Sequence, residues 1–267
     1  MNDISIDFEK GTSSVVDLSK ITTLRRLELI NFERLHSLPL IMKTFSEVVA
    51  KNLGLQTLAV RSGFSAATER TPSLHDFIRA LPSDTHLQIR TLSLNGMRFR
   101  PDAVTLPHLR QVKDLAISFN LNTRPLGSQV SDTWPIFQAQ GIYLEAVSID
   151  IADISHSFLD YIMAYEGLKE LKLHGTMYFA EPGSQQEQIA DIFWVETLAH
   201  LAPKLEVLHI DPGAYESHWA IDSCAIAALT QCKKLVDVVV HPREEKPPSM
   251  LVCQAHLVPS ISILIGI

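Results

Sequence analysis

Six residues constrain this chain more than any others: Leu168-Lys169-Glu170-Leu171-Lys172-Leu173, an apolar residue, two variable ones, then apolar, variable, apolar. The figure recurs at Leu24-Leu27-Leu29, Leu55-Leu58-Val60, Ile89-Leu92-Leu94, Val112-Leu115-Ile117, Leu144-Val147-Ile149, Leu205-Leu208-Ile210 and Leu235-Val238-Val240. Weaker copies stand at Ile4-Ser5-Ile6 and Val258-Ile261-Ile263. The last three residues of each copy alternate with the period of a strand that buries one face. One copy cannot bury its own apolar side. Neighbours must therefore stack, which orders the strands as a parallel sheet along a solenoid. Second apolar positions lie between 23 residues (Leu92 to Leu115) and 37 residues (Leu171 to Leu208) apart. Short turns close the tightest repeats, and helices fit in the longer ones.

Four of those helices have apolar stripes. Residues 41–51 place Ile41, Phe45, Val48 and Val49 on one face, with Thr44 and Glu47 at capping-box spacing. Ser73 to Asp76 is a start signal ahead of Phe77, Ile78 and Leu81. His156 to Tyr165 aligns Phe158, Tyr161, Ile162 and Tyr165, and Ser184 to Glu187 opens a helix with Ile189, Ile192, Phe193 and Leu198 inward. A last helix over 221–231 turns Ile226 and Leu229 inward. The expected fold is α/β, a horseshoe-shaped solenoid of about nine or ten irregular repeats over 1–267, with the parallel sheet concave and the helices convex. Four stretches after strands read as long loops: 120–141, 174–183, 211–219 and 241–249. They carry Phe119, Trp134, Tyr178, Phe179, Tyr215 and Trp219. Loops on a rigid scaffold are where binding concentrates.

Charge narrows the partners. The net charge is −7 with histidine neutral, the wrong sign for a nucleic-acid footprint. No apolar run is long enough to cross a bilayer, and Met1-Asn2-Asp3 does not open a signal peptide. The three cysteines, Cys224, Cys232 and Cys253, have neither disulfide nor metal spacing. With no glycosylation sequon, the reading is a reduced, cytoplasmic or nuclear protein. No phosphate loop, nucleophile elbow or paired-cysteine motif is present, and no cofactor or metal is expected.

Leu92-Ser93-Leu94-Asn95-Gly96 and Leu171-Lys172-Leu173-His174-Gly175, taken with the other copies, resemble the leucine-rich-repeat part of fungal F-box-type proteins over nearly the whole chain. The resemblance implies the leucine-rich-repeat fold and is not specific for an activity; in that group the link to ubiquitin ligation is made by the F-box, a short helical module that docks a ligase adaptor. Members of that group typically carry an N-terminal F-box, but here the repeats begin almost at Met1, leaving no room for one.

If the second and third apolar residues point inward, the residues between them and just after them face the open side. The middle positions are Ser5, Glu28, Ala59, Ser93, Ala116, Ser148, Lys172, His209, Val239 and Ser262. The positions just after include Asp150, His174, Asp211 and His241 on consecutive strands, roughly 5 Å apart step to step. Three uses follow from this row: a hydrogen-bonded ladder, a recognition patch, or a chemical site built on His174, His209, Asp211 and His241. The recognition patch comprises Asp150, Lys172, His174, Tyr178, Phe179, His209, Asp211, Tyr215, His218, Trp219 and His241. The function expected first is a non-enzymatic scaffold for a protein partner. The alternative is an enzyme or small-ligand binder at the mouth of repeats six to nine. The apolar terminal strands also predict homodimerisation through a strand edge.

Overall fold

The computed structural model describes residues 3–8, 20–31, 38–61, 72–82, 84–118, 130–175, 185–212, 217–241 and 262–263. Tyr178, Phe179, Tyr215, Phe119, Ser184 and Cys253 lie outside them. The chain divides into two compact units, Met1–Leu144 and Glu145–Ile267.

In the first unit β1 (Asp3–Asp7), β2 (Arg26–Ile30), β3 (Thr57–Arg61), β4 (Thr91–Asn95) and β5 (Asp114–Ser118) pair in chain order, all parallel. The register never slips. Ile4, Leu27, Leu58, Leu92 and Leu115 form one rung line, and Ile6, Leu29, Val60, Leu94 and Ile117 a second. From Leu27 onward these residues are buried. Ser93 and Ala116, on the opposite face, keep partial exposure. The first apolar positions Leu24, Leu55, Ile89 and Val112 are buried as well. A repeated backbone contact explains how they turn the chain. Arg25 O accepts Gln56 N and Thr57 N, Gln56 O accepts Arg90 N and Thr91 N, and Arg90 O accepts Lys113 N and Asp114 N, all at 2.8–3.0 Å. One carbonyl at each strand entry thus seats the entry of the next.

Between strands run α1 (Leu38–Lys51), α2 (Leu74–Ile78), α3 (Leu106–Leu109) and α4 (Thr133–Ala139). Helix α1 buries Met42, Phe45, Val48 and Val49. It begins at Leu38, so Thr44 and Glu47 sit mid-helix rather than at a cap. Ser73 does cap α2: its N–H donates to Asp76 Oδ2 at 2.9 Å. The stretch read as a loop over 120–141 contains α4, whose Trp134 and Phe137 are buried, Phe137 edge-on to Phe99 at 6.1 Å. Pro135 signals a turn, yet proline fits the first helical turn, where its missing N–H has no partner to lose. Gly141, at φ +64°, follows the helix in the left-handed region.

Buried His108 carries a pH prediction. Leu87 N donates to its Nδ1 at 3.2 Å, a bond only a neutral ring accepts. Burial, and then the charge of His86, hold its pKa below the usual histidine value. The folded pKa is depressed, so this stability is complete above the unfolded value of about 6.5 and is lost as pH falls through the lowered folded one. Urea unfolding midpoints should drop between pH 7.5 and 5.5, and His108→Gln should flatten that slope. An unchanged slope in the variant would contradict the assignment.

In the second unit β6 (Ala146–Asp150), β7 (Glu170–His174), β8 (Val207–Asp211), β9 (Asp237–Val240) and β10 (Ser262–Ile263) pair in order, again parallel. The entry carbonyls recur: Glu145 O takes Lys169 N and Glu170 N, Lys169 O takes Glu206 N and Val207 N, and Glu206 O takes Val236 N and Asp237 N. One register differs from expectation. Ser262 pairs with Asp237 and Ile263 with Val238, so Ser262 is one rung from the middle position expected beside Val239. A shift of two residues keeps the same faces of the strand, and apolar alternation alone does not distinguish the two registers.

The second unit's helices are α5 (His156–Met163), α6 (Gln185–Ile192), α7 (Leu198–Leu201) and α8 (Ser223–Leu229), with a π-turn over Phe193–Thr197 joining α6 to α7. Phe158, Tyr161, Ile162, Ile189, Phe193 and Leu198 are buried. Tyr165 falls beyond α5 and packs on Tyr161 at 5.2 Å. Helix α8 departs from the reading: Ala225 and Ala228 face inward, while Ile226 is 43% exposed. Asp222 Oδ1 caps the helix by accepting Ala225 N at 2.9 Å, which fixes where the first turn starts and so which stripe faces in. The small stripe lets α8 pack closely on the π-turn. Cys232 extends it. Its thiol touches Ala228 O at 3.8 Å, and burial pushes its pKa up to about 11, so it remains a protonated packing group.

Candidate functional site

The strand-exit row of the second unit forms as the spacing predicts. Asp150 pairs in register with His174, and His174 with Asp211. His241 follows Val240, the register partner of Ile210, and brings Nε2 to 3.6 Å from Asp211 Oδ1. One rung earlier, Ser148, Lys172, His209 and Val239 are register partners. Strand alternation puts both rows on the face away from the buried leucines.

The row is not a plain Asp–His ladder. His174 turns back to β6, where its Nε2 lies 3.0 Å from Ser148 Oγ. His209 Nε2 lies 2.9 Å from Asp237 Oδ2, close enough for an ion pair although the ring N–H is not aligned for a hydrogen bond. Lys172 Nζ meets Glu170 Oε1 at 2.6 Å, two residues back on the same strand and face. Asp150 is buried. Burial, reinforced by the charges of Lys172 and His209 and opposed by Asp211, holds His174 below the usual histidine pKa. A lowered pKa keeps its ring neutral at pH 7, with a ring nitrogen free to accept a proton. The linkage has the same sign as at His108: this stability is present above the unfolded value and is lost on acidification through the folded one.

Two nominated residues stand elsewhere. Trp219 is 1% exposed and packs on Phe193, ring centres 5.3 Å apart. It is core, not a wall of an open site. His218 reaches Glu187 Oε1 of α6 at 3.6 Å and so belongs with the helix layer. Both sit in a short 3-10 turn, Ser217–Trp219, which tucks inward a segment that reads as loop. Tyr178, Phe179 and Tyr215 lie outside the described residues. The sequence row of candidate site residues omits Ser148 and Asp237. Ser148 occupies a middle position, but its bond to His174 crosses diagonally between strands, whereas the linear reading pairs residues straight across. Asp237 is the entry residue of its strand, ahead of the middle and exit positions that the triplet spacing marks.

The first unit offers a second polar patch on its uncovered face. Glu28, 9% exposed, lies 3.3 Å from both Arg26 Nη2 and Arg61 Nη2. Each cation is at least half exposed, so these pairs add little to stability. Among the described residues no group of three or more His, Cys, Asp or Glu is placed to hold a metal ion, and no helix is long and apolar enough to cross a membrane. No family model, curated protein or solved structure matches the chain.

Proposed function

We propose that the chain is a leucine-rich-repeat solenoid, a horseshoe of the kind seen in fungal F-box-type proteins, whose partner-binding role is that of a scaffold and needs no chemistry. The partner lies on the concave sheet face and the loops that leave its strands. One observation carries this reading: in β4 and β5 of the first unit and β6 to β9 of the second, the triplet residues are buried while Ser93, Ala116, Ser148, Lys172, His209 and Val239 between them keep partial exposure, whereas Glu28 and Ala59 of β2 and β3 are buried. Such a face, with short side chains at several rungs, suits an extended segment or helix laid close to the backbone. Substrate recognition in the cytoplasm or nucleus is the natural role for it, and pairing of a terminal strand edge with a second copy belongs to the same reading.

Photo-crosslinking in native extract tests the scaffold. A photoreactive residue at Ser93 or Lys172 should capture one recurrent protein, and the same residue at Glu196 in the π-turn should not. Equal capture from all three positions, or none from any, would count against the proposal. A second reading, a small-ligand or chemical site at the mouth of the later repeats, draws on the closeness of Ser148, His174 and Asp211 to one another.

A further inference from the structure

Three consecutive strands of the second unit carry a hydroxyl, an imidazole and a carboxylate on the face away from the buried triplet residues. Ser148 stands on β6, His174 on β7 and Asp211 on β8. Ser148 Oγ and His174 Nε2 are 3.0 Å apart, within the 2.6–3.2 Å reach expected of a nucleophile and its base. His174 and Asp211 are register partners, and the carboxylate charge acts on the imidazole. Lys172, the register partner of Ser148, lies two residues before His174 on β7. Lys172 Nζ is held by Glu170 Oε1 at 2.6 Å, so the base that reaches the serine from β7 is His174.

We propose that Ser148 is a nucleophile activated by His174, with Asp211 as the positioning residue, and that the pair transfers the acyl group of a carboxylic ester. Such constellations are recognised by geometry and role and not by order in the chain. In the first step Ser148 Oγ bonds to the ester carbonyl carbon and the hydroxyl proton passes to His174 Nε2. The tetrahedral intermediate collapses as the C–O bond to the alcohol breaks, and His174 returns the proton to the departing oxygen. Water then repeats the sequence on the acyl-serine, releasing the acid and restoring the hydroxyl. The neutral, half-buried imidazole is the form this chemistry needs at pH 7. The inference does not depend on a protein partner, so it stands or falls separately from the scaffold reading.

The test uses the whole chain and a fluorophosphonate. Its phosphorus takes Ser148 Oγ in the same way, with fluoride leaving and the proton going to His174. Mass spectrometry should find one adduct on the peptide containing Ser148, absent after heat unfolding and absent in Ser148→Ala. His174→Gln should slow labelling at least 100-fold, as loss of a general base does. It should also abolish the rise of the labelling rate with pH through the histidine range, a change that a merely structural histidine would not produce. Asp211→Asn should slow labelling less and shift that pH profile. Circular dichroism of each variant confirms folding, and Ser148→Cys, labelled by iodoacetamide with the same pH profile, provides a second readout. Labelling no faster than in the unfolded chain, adducts on other serines alone, or an unchanged rate and profile in His174→Gln would overturn the proposal.

Discussion

Trp219→Ala should lower the stability of the second unit by about 3–5 kcal/mol, the usual cost of truncating a large buried aromatic. Trp219 is among the largest fully buried side chains described, packed on Phe193, which in turn packs on Trp194 at 5.3 Å. Truncation removes the transfer energy of the indole and leaves a cavity beside the π-turn that cannot fully collapse, because α8 already packs there through alanines. Urea unfolding followed by far-ultraviolet circular dichroism measures the loss. A variant as stable as the parent, but impaired in binding, would restore the surface role that Trp219 has as a loop aromatic.

Asn52→Ala should cost about 3 kcal/mol, since an unsatisfied buried partner alone costs about 1–3 kcal/mol and here more than one is stranded. Asn52 is 2% exposed. Its Oδ1 accepts Leu24 N at 2.7 Å, and its Nδ2 donates to Val48 O at 2.7 Å and Ile21 O at 3.1 Å. One amide thus ties the end of α1 to the entry of the preceding repeat, where Leu24 N is itself buried. Asn52→Asp keeps the acceptor and loses both donors, so it should also destabilise. A loss within 0.5 kcal/mol for the alanine variant would show that the three bonds are replaced by water.

The contrast between these residues and the leucine triplets marks how far the chain can be read from its letters. The triplets are legible because one physical demand, burial of alternate residues, repeats with the period of a strand. Register follows from the same demand, and Leu27, Leu58, Leu92 and Leu115 line up as a result. The row Asp150, His174, Asp211 is legible for the same reason, being a fixed offset from the triplet. What is not legible depends on geometry without a period. The bond from His174 to Ser148 runs diagonally between rungs. The inward turn of Trp219 depends on a three-residue helix, too short to show a hydrophobic stripe. The alanine stripe of α8 contradicts simple hydrophobicity, and tertiary packing decides it, while Pro135 is tolerated only because it falls in the first turn of α4. Asn52 has a local sign, three residues before the first apolar position Leu55, but only the fold shows that it reaches back to Leu24.

The central claim is that within each unit the triplets of β1 to β5 and of β6 to β9 stack in parallel register and present the residues between them on one face of the sheet. Paired cysteines test it most directly, in a background where Cys224, Cys232 and Cys253 are replaced by serine or alanine. Lys172→Cys with His209→Cys joins register partners on one face; adjacent strands are about 4.8 Å apart, within disulfide reach. Lys172→Cys with Ile210→Cys places the second thiol on the opposite, buried face. The account predicts a rapid, near-complete intramolecular disulfide in the first pair under mild oxidation and almost none in the second. Equal yields, or a bond only in the second pair, would contradict it.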